Sequence, residues 1–212
     1  GEKHQVTARD WFEKAQKEGF AIGAFNIDSL EIFKAVLMAA QVKKSPVMVE
    51  FSPGEVGYFG LKNIVDMVIN AREEYKIPIL LNIDHGKVVE DCLVAIDQPG
   101  FDNIHFDGSD LEFEENVQNT TKIVDAAHKK GLLVEGEINK ISGTSEVHEE
   151  ELDIALIKTM YTDPKQADRF VKATNVDVFA PFFGNVHGTF PVEPILDIAL
   201  LSTIRDVLPN TF

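Results

Sequence analysis

The stretch Pro78-Ile79-Leu80-Leu81-Asn82-Ile83-Asp84-His85-Gly86 decides the fold. Its short apolar run reads as a strand, and the run stops in an aspartate, a histidine and a glycine. Outward from it, short apolar runs alternate with longer amphipathic ones, the pattern of βα units around a parallel sheet. On the amino-terminal side, the pattern predicts a helix over Ala8–Glu18 closed by Gly19, then a strand at Phe20–Asn26. A helix follows to about Lys44, opened by Asp28 as cap with Glu31 three residues on. Pro46–Phe51 reads as the second strand and Leu61–Tyr75 as a helix. On the carboxyl-terminal side come a helix near Val88–Ile96, a strand at Asn103–Asp107, and a helix ending in Lys129-Lys130-Gly131. The fifth strand is Leu132–Ile138. A polar stretch, Asn139–Glu150, precedes two helices, the second opened by Asp163-Pro164. A sixth strand at Val176–Phe183 and a helix over Glu193–Val207 complete the pattern. Six strands, each followed by a helix, suit an open doubly wound sheet or part of a closed barrel of eight.

The 212 residues are 44% hydrophobic and 26% charged, enough for one domain with a core and without linker composition. A net charge of −15 disfavours non-specific binding to nucleic acid or to an anionic membrane surface. The lone cysteine, Cys92, has no internal partner for a disulfide, which suits a cytoplasmic protein. No apolar run reaches the roughly 18 residues that span a bilayer.

Polar residues gather at the carboxyl ends of the predicted strands: Asn26, Ser52, Asp84-His85-Gly86, Asp107-Gly108-Ser109, Glu135 and Glu137, and Gly184-Asn185-Val186-His187-Gly188. In parallel α/β sheets that edge binds ligands. Two histidines with carboxylates suit a divalent metal, zinc above all. Asp84 and His85 are adjacent on a strand, so their side chains are expected to point in different directions, leaving Asp84 beside the metal as a proton-transfer group. Glu135 and Glu137 share a strand face, where two carboxylates repel unless a cation or proton lies between them. His105 has the strand parity of Asp107 and is expected as a core histidine. Glu149, Glu150 and Glu151 read as a solvated helix start.

These residues carry a resemblance. Asp84-His85-Gly86, Phe106-Asp107-Gly108-Ser109, Glu115-Asn116, Ala127-His128, Val134-Glu135-Gly136-Glu137, Tyr161-Thr162-Asp163-Pro164 and Gly184-Asn185-Val186-His187-Gly188 resemble, in order and spacing, the class II fructose- and tagatose-bisphosphate aldolases. Ala24-Phe25-Asn26 and Ser45-Pro46-Val47 fit as well, so the likeness covers roughly residues 8–205.

The resemblance implies a TIM (β/α)8 barrel of which about six βα units are present, as one domain over residues 1–212 that lacks strands seven and eight. It implies that His85 and His187 bind Zn2+, with Glu137 or Asp107 serving an alternate or second divalent ion. Asp84 becomes the acid/base group at the carbon joining the two triose halves. Val186 and Gly188 offer backbone groups near a ketose phosphate and a monovalent cation, and Asn26 and Ser52 line the substrate cavity. The implied reaction is reversible cleavage of a ketose 1,6-bisphosphate to dihydroxyacetone phosphate and an aldehyde through a metal-stabilised enediolate. The implied partner is a small phosphorylated sugar, in a cytoplasmic homo-oligomer, dimer or tetramer. A non-catalytic barrel or assembly module and another metal-dependent barrel enzyme are the alternatives.

The sequence also departs from that pattern. The family's third histidine and its strand-eight phosphate segment fall beyond Phe212. In the loop after the fifth strand, Ser145 stands where a proton-donating glutamate is expected, with Glu146 one place on, and Asn139 replaces a glycine. Open edges at the first and sixth strands lead to the expectation that a chain ending at Phe212 belongs to a longer enzyme or pairs with another chain. Alone, it is expected to lack activity and to self-associate.

Overall fold

The computed structural model describes residues 6–141, 143–144 and 146–212. Helix α1 (Ala8–Glu18) is capped by Thr7, whose hydroxyl accepts from the Asp10 amide at 3.2 Å while the Asp10 carboxylate accepts from the Thr7 amide at 2.7 Å. It ends at Gly19, where φ of +73° suits a residue without a side chain. Then follow β1 (Gly23–Asn26), α2 (Leu30–Lys43), β2 (Val47–Phe51), α3 (Pro53–Phe59), α4 (Leu61–Tyr75), β3 (Ile79–Gly86), α5 (Val89–Asp97) and β4 (Asn103–Asp107). The rest comprises α6 (Phe113–His128), β5 (Leu133–Glu137), α7 (Ile154–Lys158), α8 (Pro164–Thr174), β6 (Val178–Ala180) and α9 (Ile198–Val207). The sheet order is β1-β2-β3-β4-β5-β6, and the pairs from β1 to β4 are parallel. This is an α/β fold with the strand order of a (β/α)8 barrel, six strands of which are present. No described helix is long and apolar enough to cross a membrane.

Several elements differ from expectation, among them β1, which starts at Gly23 and not Phe20, and α9, which starts at Ile198 and not Glu193. Helix α2 is capped by Ser29, whose hydroxyl accepts from the Ile32 amide at 3.2 Å, and not by Asp28. Helix α3 was not foreseen, because two glycines weaken it; Glu55 in its first turn holds the Ser52 amide at 2.6 Å. Strand β6 is short because Pro181 has no N–H to offer, and the next amide, Phe182, donates to the Thr162 hydroxyl at 2.8 Å. The exposed run Glu149–Glu151 precedes no helix directly; α7 starts later, capped by the Asp153 carboxylate on the Leu156 amide at 3.0 Å.

The chain divides into two compact units. One is built on residues through Phe106 with Lys122–Glu135 and Phe212, the other on Asp107–Thr121 with Gly136–Thr211. In the first, alternation gives every strand two faces. Val49, Phe51, Leu81, Ile83, Ile104 and Phe106 are buried on one face, packed against α2, α4 and α5. Each such side chain contributes about 1.5–3 kcal/mol by leaving water. On the other face, Met48, Leu80 and Leu133 meet Ala8 of α1, with Trp11 and Phe12 against them. The Phe12 ring meets the Phe212 ring edge-on at 5.3 Å, and the Arg9 guanidinium lies 5.8 Å from the centre of the Phe212 ring. Along this second face the residues change character: apolar at the amino end, amide and carboxyl at mid-strand, and the motif residues at the carboxyl end. Arg72 and Asp102 fix the start of β3 against β4. The guanidinium reaches the Asp102 carboxylate at 2.8 Å and the Ile79 and Gly100 carbonyls at 2.9 Å each.

In the second unit, Phe170 of α8 is fully buried, with its ring 6.1 Å from Phe113 and 6.2 Å from Phe179. Gly136 makes room for it, since a Cβ there would stand 2.6 Å from the Phe170 ring.

Candidate metal and proton-transfer site

At the end of β3 the pairing register with β4 shifts between Ile83 and Gly86, and His85 takes a left-handed φ of +49°. That conformation costs a histidine energy and is uncommon outside glycine. It also cancels the expected opposition of neighbouring side chains. Asp84 and His85 turn to the same place, with His85 Nε2 at 3.8 Å from Asp84 Oδ1. The expectation that they point apart fails because the bulge removes the strand's two-residue alternation at this residue.

Asp84 is held by three neighbours. The Asn26 amide donates to Oδ2 at 2.9 Å, and His105 Nδ1 lies 3.4 Å from Oδ1. The same ring nitrogen faces the His85 backbone N–H at 3.2 Å, so its tautomer selects one role: donor to Asp84, or acceptor from His85. Burial opposes ionisation of Asp84. Hydrogen bonding from His105, the charge of His85 and the Asn26 amide outweigh it, and the carboxyl titrates below the ordinary aspartate range.

Possible ligand atoms of Asp84, His85 and His105 lie within 4.8 Å of one another. Two imidazoles and a carboxylate form the N and O donor set that divalent metals such as zinc accept. His105, expected as a core residue, is indeed buried, and it also belongs to this cluster. Asn26 and Ser52 are tied together by Glu55, whose Oε2 accepts from the Ser52 amide at 2.6 Å and lies 3.5 Å from the Asn26 amide nitrogen. Glu55 was missed in the sequence because it sits on the unforeseen α3.

One layer closer to the amino end of the same face lies a file of polar side chains. Strand register aligns Asn26 with Glu50, Glu50 with Asn82, and Asn82 with Asn103. Asn82 Nδ2 donates to Glu50 Oε2 at 2.9 Å, and Asn103 Nδ2 donates to Asn82 Oδ1 at 2.9 Å. Asn103 Oδ1 is buried and has no hydrogen-bond partner. Glu50 shares the strand parity of Ser52, the one sequence signal that marks it.

In the second unit, Asp107 ends β4 and Glu137 ends β5. Both are buried, and their carboxylate oxygens come within 4.8 Å. Asp107 Oδ1 accepts from the Ser109 amide at 3.0 Å and from its hydroxyl at 2.5 Å. Asn116 of α6 fixes the end of β5 by donating to the Glu137 carbonyl at 2.8 Å, and it accepts from the Thr120 hydroxyl at 2.9 Å. Two buried carboxylates this close favour a cation between them. A Cβ on Gly108 would stand 2.0 Å from Asn116 Oδ1, and that amide is pinned at both ends. Gly108→Ala is therefore expected to destabilise the protein by about 1–3 kcal/mol. A shift in the urea midpoint of unfolding measures this, and an unchanged midpoint would show that Asn116 is free to move.

The loop after β6 carries Val186 and His187, both half-buried, and the exposed Gly188. At Gly188 φ is +89°, and a Cβ would stand 2.4 Å from the carbonyl oxygens of Thr144 and Glu146. The Thr189 amide donates to the Glu146 carbonyl at 2.9 Å, and the His148 ring stacks on Phe190 at 4.2 Å. Gly188 is thus required by the close approach of residues 144 and 146. Ser145, the position expected to carry a proton donor, lies outside the described residues.

Residues 6–212 match the family described as fructose-bisphosphate aldolase class-II. The fructose-bisphosphate aldolase of Geobacillus stearothermophilus is 38% identical over 205 residues, covering 95% of this chain and 69% of that protein. The fructose-bisphosphate aldolase of Helicobacter pylori (strain J99) is 37% identical over 196 residues, covering 91% of this chain and 62% of that protein. Among solved structures, the YdjI aldolase from Escherichia coli K12 superposes with a TM-score of 0.77 at 29% identity, over 95% of this chain and 69% of that one. The chain thus spans about two thirds of the length of these relatives.

Proposed function

This chain belongs to the class II fructose-bisphosphate aldolase family, and on that premise we propose that the protein catalyses reversible aldol cleavage of a ketose 1,6-bisphosphate, of fructose or tagatose type, to dihydroxyacetone phosphate and an aldehyde. The observation that carries this reading is an aspartate kept ionised beside a strained histidine: Asp84 next to His85. An ionised carboxylate is a base at neutral pH, and a residue held at positive φ within the bulge marks a site where geometry is fixed for chemistry.

In this reading His85 and His187 hold Zn2+, with Glu137 or Asp107 as carboxylate ligand in the same or a second position. The bound cation supplies positive charge that polarises an oxygen of the ketose. Asp84 moves the proton at the carbon that joins the two triose halves. In cleavage Asp84 accepts the proton of the hydroxyl beside the scissile bond, the carbon–carbon bond breaks, and Asp84 returns that proton to the carbon left on the dihydroxyacetone half; condensation runs the same transfers in reverse. Asn26 orients Asp84 by its amide and lines the substrate cavity with Ser52, while Val186 and Gly188 offer backbone groups to a phosphate. His105 fixes the Asp84 carboxylate from behind. No lysine is needed as a Schiff base.

The reading is tested by coupled release of triose phosphate from fructose and tagatose 1,6-bisphosphates. Turnover should disappear on chelation and return with Zn2+. Turnover that survives chelation, or inactivation by borohydride in the presence of substrate, would assign the chemistry to an imine and sink the proposal.

A further inference from the structure

Glu55 takes no part in the mechanism above, yet its carboxylate lies between two residues that the mechanism uses, Asn26 and Ser52. We propose that Glu55 is a positioning residue for Asn26: anchored on the Ser52 amide, it pins the Asn26 nitrogen toward Asp84 and leaves the Asn26 oxygen to a hydroxyl of the substrate. The inference rests on the reading of Asp84 as the acid/base group.

The two ends of an asparagine amide have nearly the same shape, and a half-turn of the group exchanges a donor for an acceptor. Asn26 is exposed, so packing does not choose between the two orientations. Its partners do. Nδ2 lies 2.9 Å from Asp84 Oδ2 and 3.5 Å from Glu55 Oε2, a carboxylate for each of its two protons. Turned over, the amide would set an acceptor against two carboxylate oxygens with no proton between them.

The same orientation settles what Asn26 can offer a ligand. Both of its protons are engaged, and among the described residues none donates to its oxygen. An amide oxygen accepts two hydrogen bonds, and the hydroxyls of a ketose are donors of the matching kind. Asn26 thus serves the base with one end and the substrate with the other, and Glu55 keeps the two ends from changing places.

Glu55 can hold Asn26 because it is itself held. It closes the capping box of α3, where Oε2 accepts from the Ser52 amide at 2.6 Å. Ser52 directly follows the fully buried Phe51, whose ring meets that of Phe59 edge-on at 5.6 Å. Helix α3 is therefore tied to β2 at both ends, and the carboxylate starts from a fixed place. A capping role alone does not require glutamate. In α1 the same box is closed by an aspartate, since the Asp10 carboxylate accepts from the Thr7 amide at 2.7 Å. The additional methylene of Glu55 brings one carboxylate to a cap amide and to a side chain of β1 together.

Glu55→Asp separates the two roles, because aspartate keeps the cap and is one methylene too short for Asn26. With asparagine labelled by 15N, the side-chain amide protons of Asn26, identified by their loss in Asn26→Ala, report the pin without substrate. One of the two should move toward the position of a free amide in Glu55→Asp, and the other should move in Asp84→Ala. The urea midpoint of Glu55→Asp should match the wild type. Its kcat/KM for fructose 1,6-bisphosphate should fall about fivefold to tenfold, the scale of one hydrogen bond to an orienting group. Glu55→Gln, which retains the length and an accepting oxygen, should lose less. With Asn26→Ala already in place, Glu55→Asp should have no further effect, whereas a merely structural role would lower kcat/KM equally in both backgrounds. Asn26 signals unmoved in Glu55→Asp would overturn the proposal, as would an unchanged kcat/KM or an equal loss with Asn26 gone. Absence of aldolase turnover in the wild type would instead strike the functional reading, and the amide signals would still decide whether Glu55 holds Asn26.

Discussion

Asp84→Ala will lower aldol turnover by at least about a hundredfold and leave the metal content near that of the wild type. A hundredfold is about 3 kcal/mol of transition-state stabilisation, the scale expected when a positioned proton-transfer group is lost. Asp84 is poised for that role, since the donors around it keep it ionised against the effect of burial. The alanine variant removes the base and leaves the Asn26 amide and the His105 ring without their shared acceptor. Asp84→Asn separates these effects, because it keeps the shape and loses the charge; it should be about as inactive and better folded. The assay is coupled release of triose phosphate alongside metal analysis of the same sample. Equal turnover in variant and wild type would remove Asp84 from the mechanism, and loss of metal along with turnover would make it a ligand.

The second large effect concerns metal retention. The protein should retain about one Zn2+ per chain through dialysis, and His85→Ala and His187→Ala should each reduce that to a trace. A zinc site with three protein ligands does not survive deletion of one imidazole with its affinity intact. Losing the metal in both variants would be the solution test that the two histidines serve one ion. Stoichiometric zinc in both would refute the assignment. For His85 the change has a further expected consequence: alanine inherits a φ of +49°, so the variant keeps the backbone strain without the ligand.

Much of this was legible in the sequence because the signals were local and repeated. Gly19 after Glu18 and the alternation of Leu61–Tyr75 placed α1 and α4 at their observed bounds. The clustering of Asn26, Ser52, Asp84, Asp107 and Glu137 at strand ends was legible for the same reason, since one rule applied six times over. The bulge at His85 was not. A slip of one residue inside a strand leaves no mark in a two-residue period, and histidine gives no warning of a positive φ. Helix α3 was hidden by Gly54 and Gly57, and its stabilising contact depends on Glu55 reaching back to Ser52. Glu50 was hidden by its type. A glutamate between Val49 and Phe51 reads as the solvent side of a strand, and only the register with Asn82 shows that its side faces a polar layer. Asn82 and Asn103 were passed over likewise, because asparagine within an apolar run looks like an interruption until its neighbour on the next strand is known.

The docking of α1 bears on the order in which the protein is made. Each strand pairs with the one synthesised just before it, so the sheet can grow by addition while the chain leaves the ribosome. Helix α1 is the exception. Ala8, Trp11 and Phe12 are translated before all six strands, but they pack on Leu133, and Phe12 and Arg9 also meet Phe212. Helix α1 therefore finds its seat only once β5 has been made, and its apolar side waits in water until then. A nascent chain arrested before Leu133 should bind chaperones that capture exposed apolar segments, and release should follow once that residue has emerged.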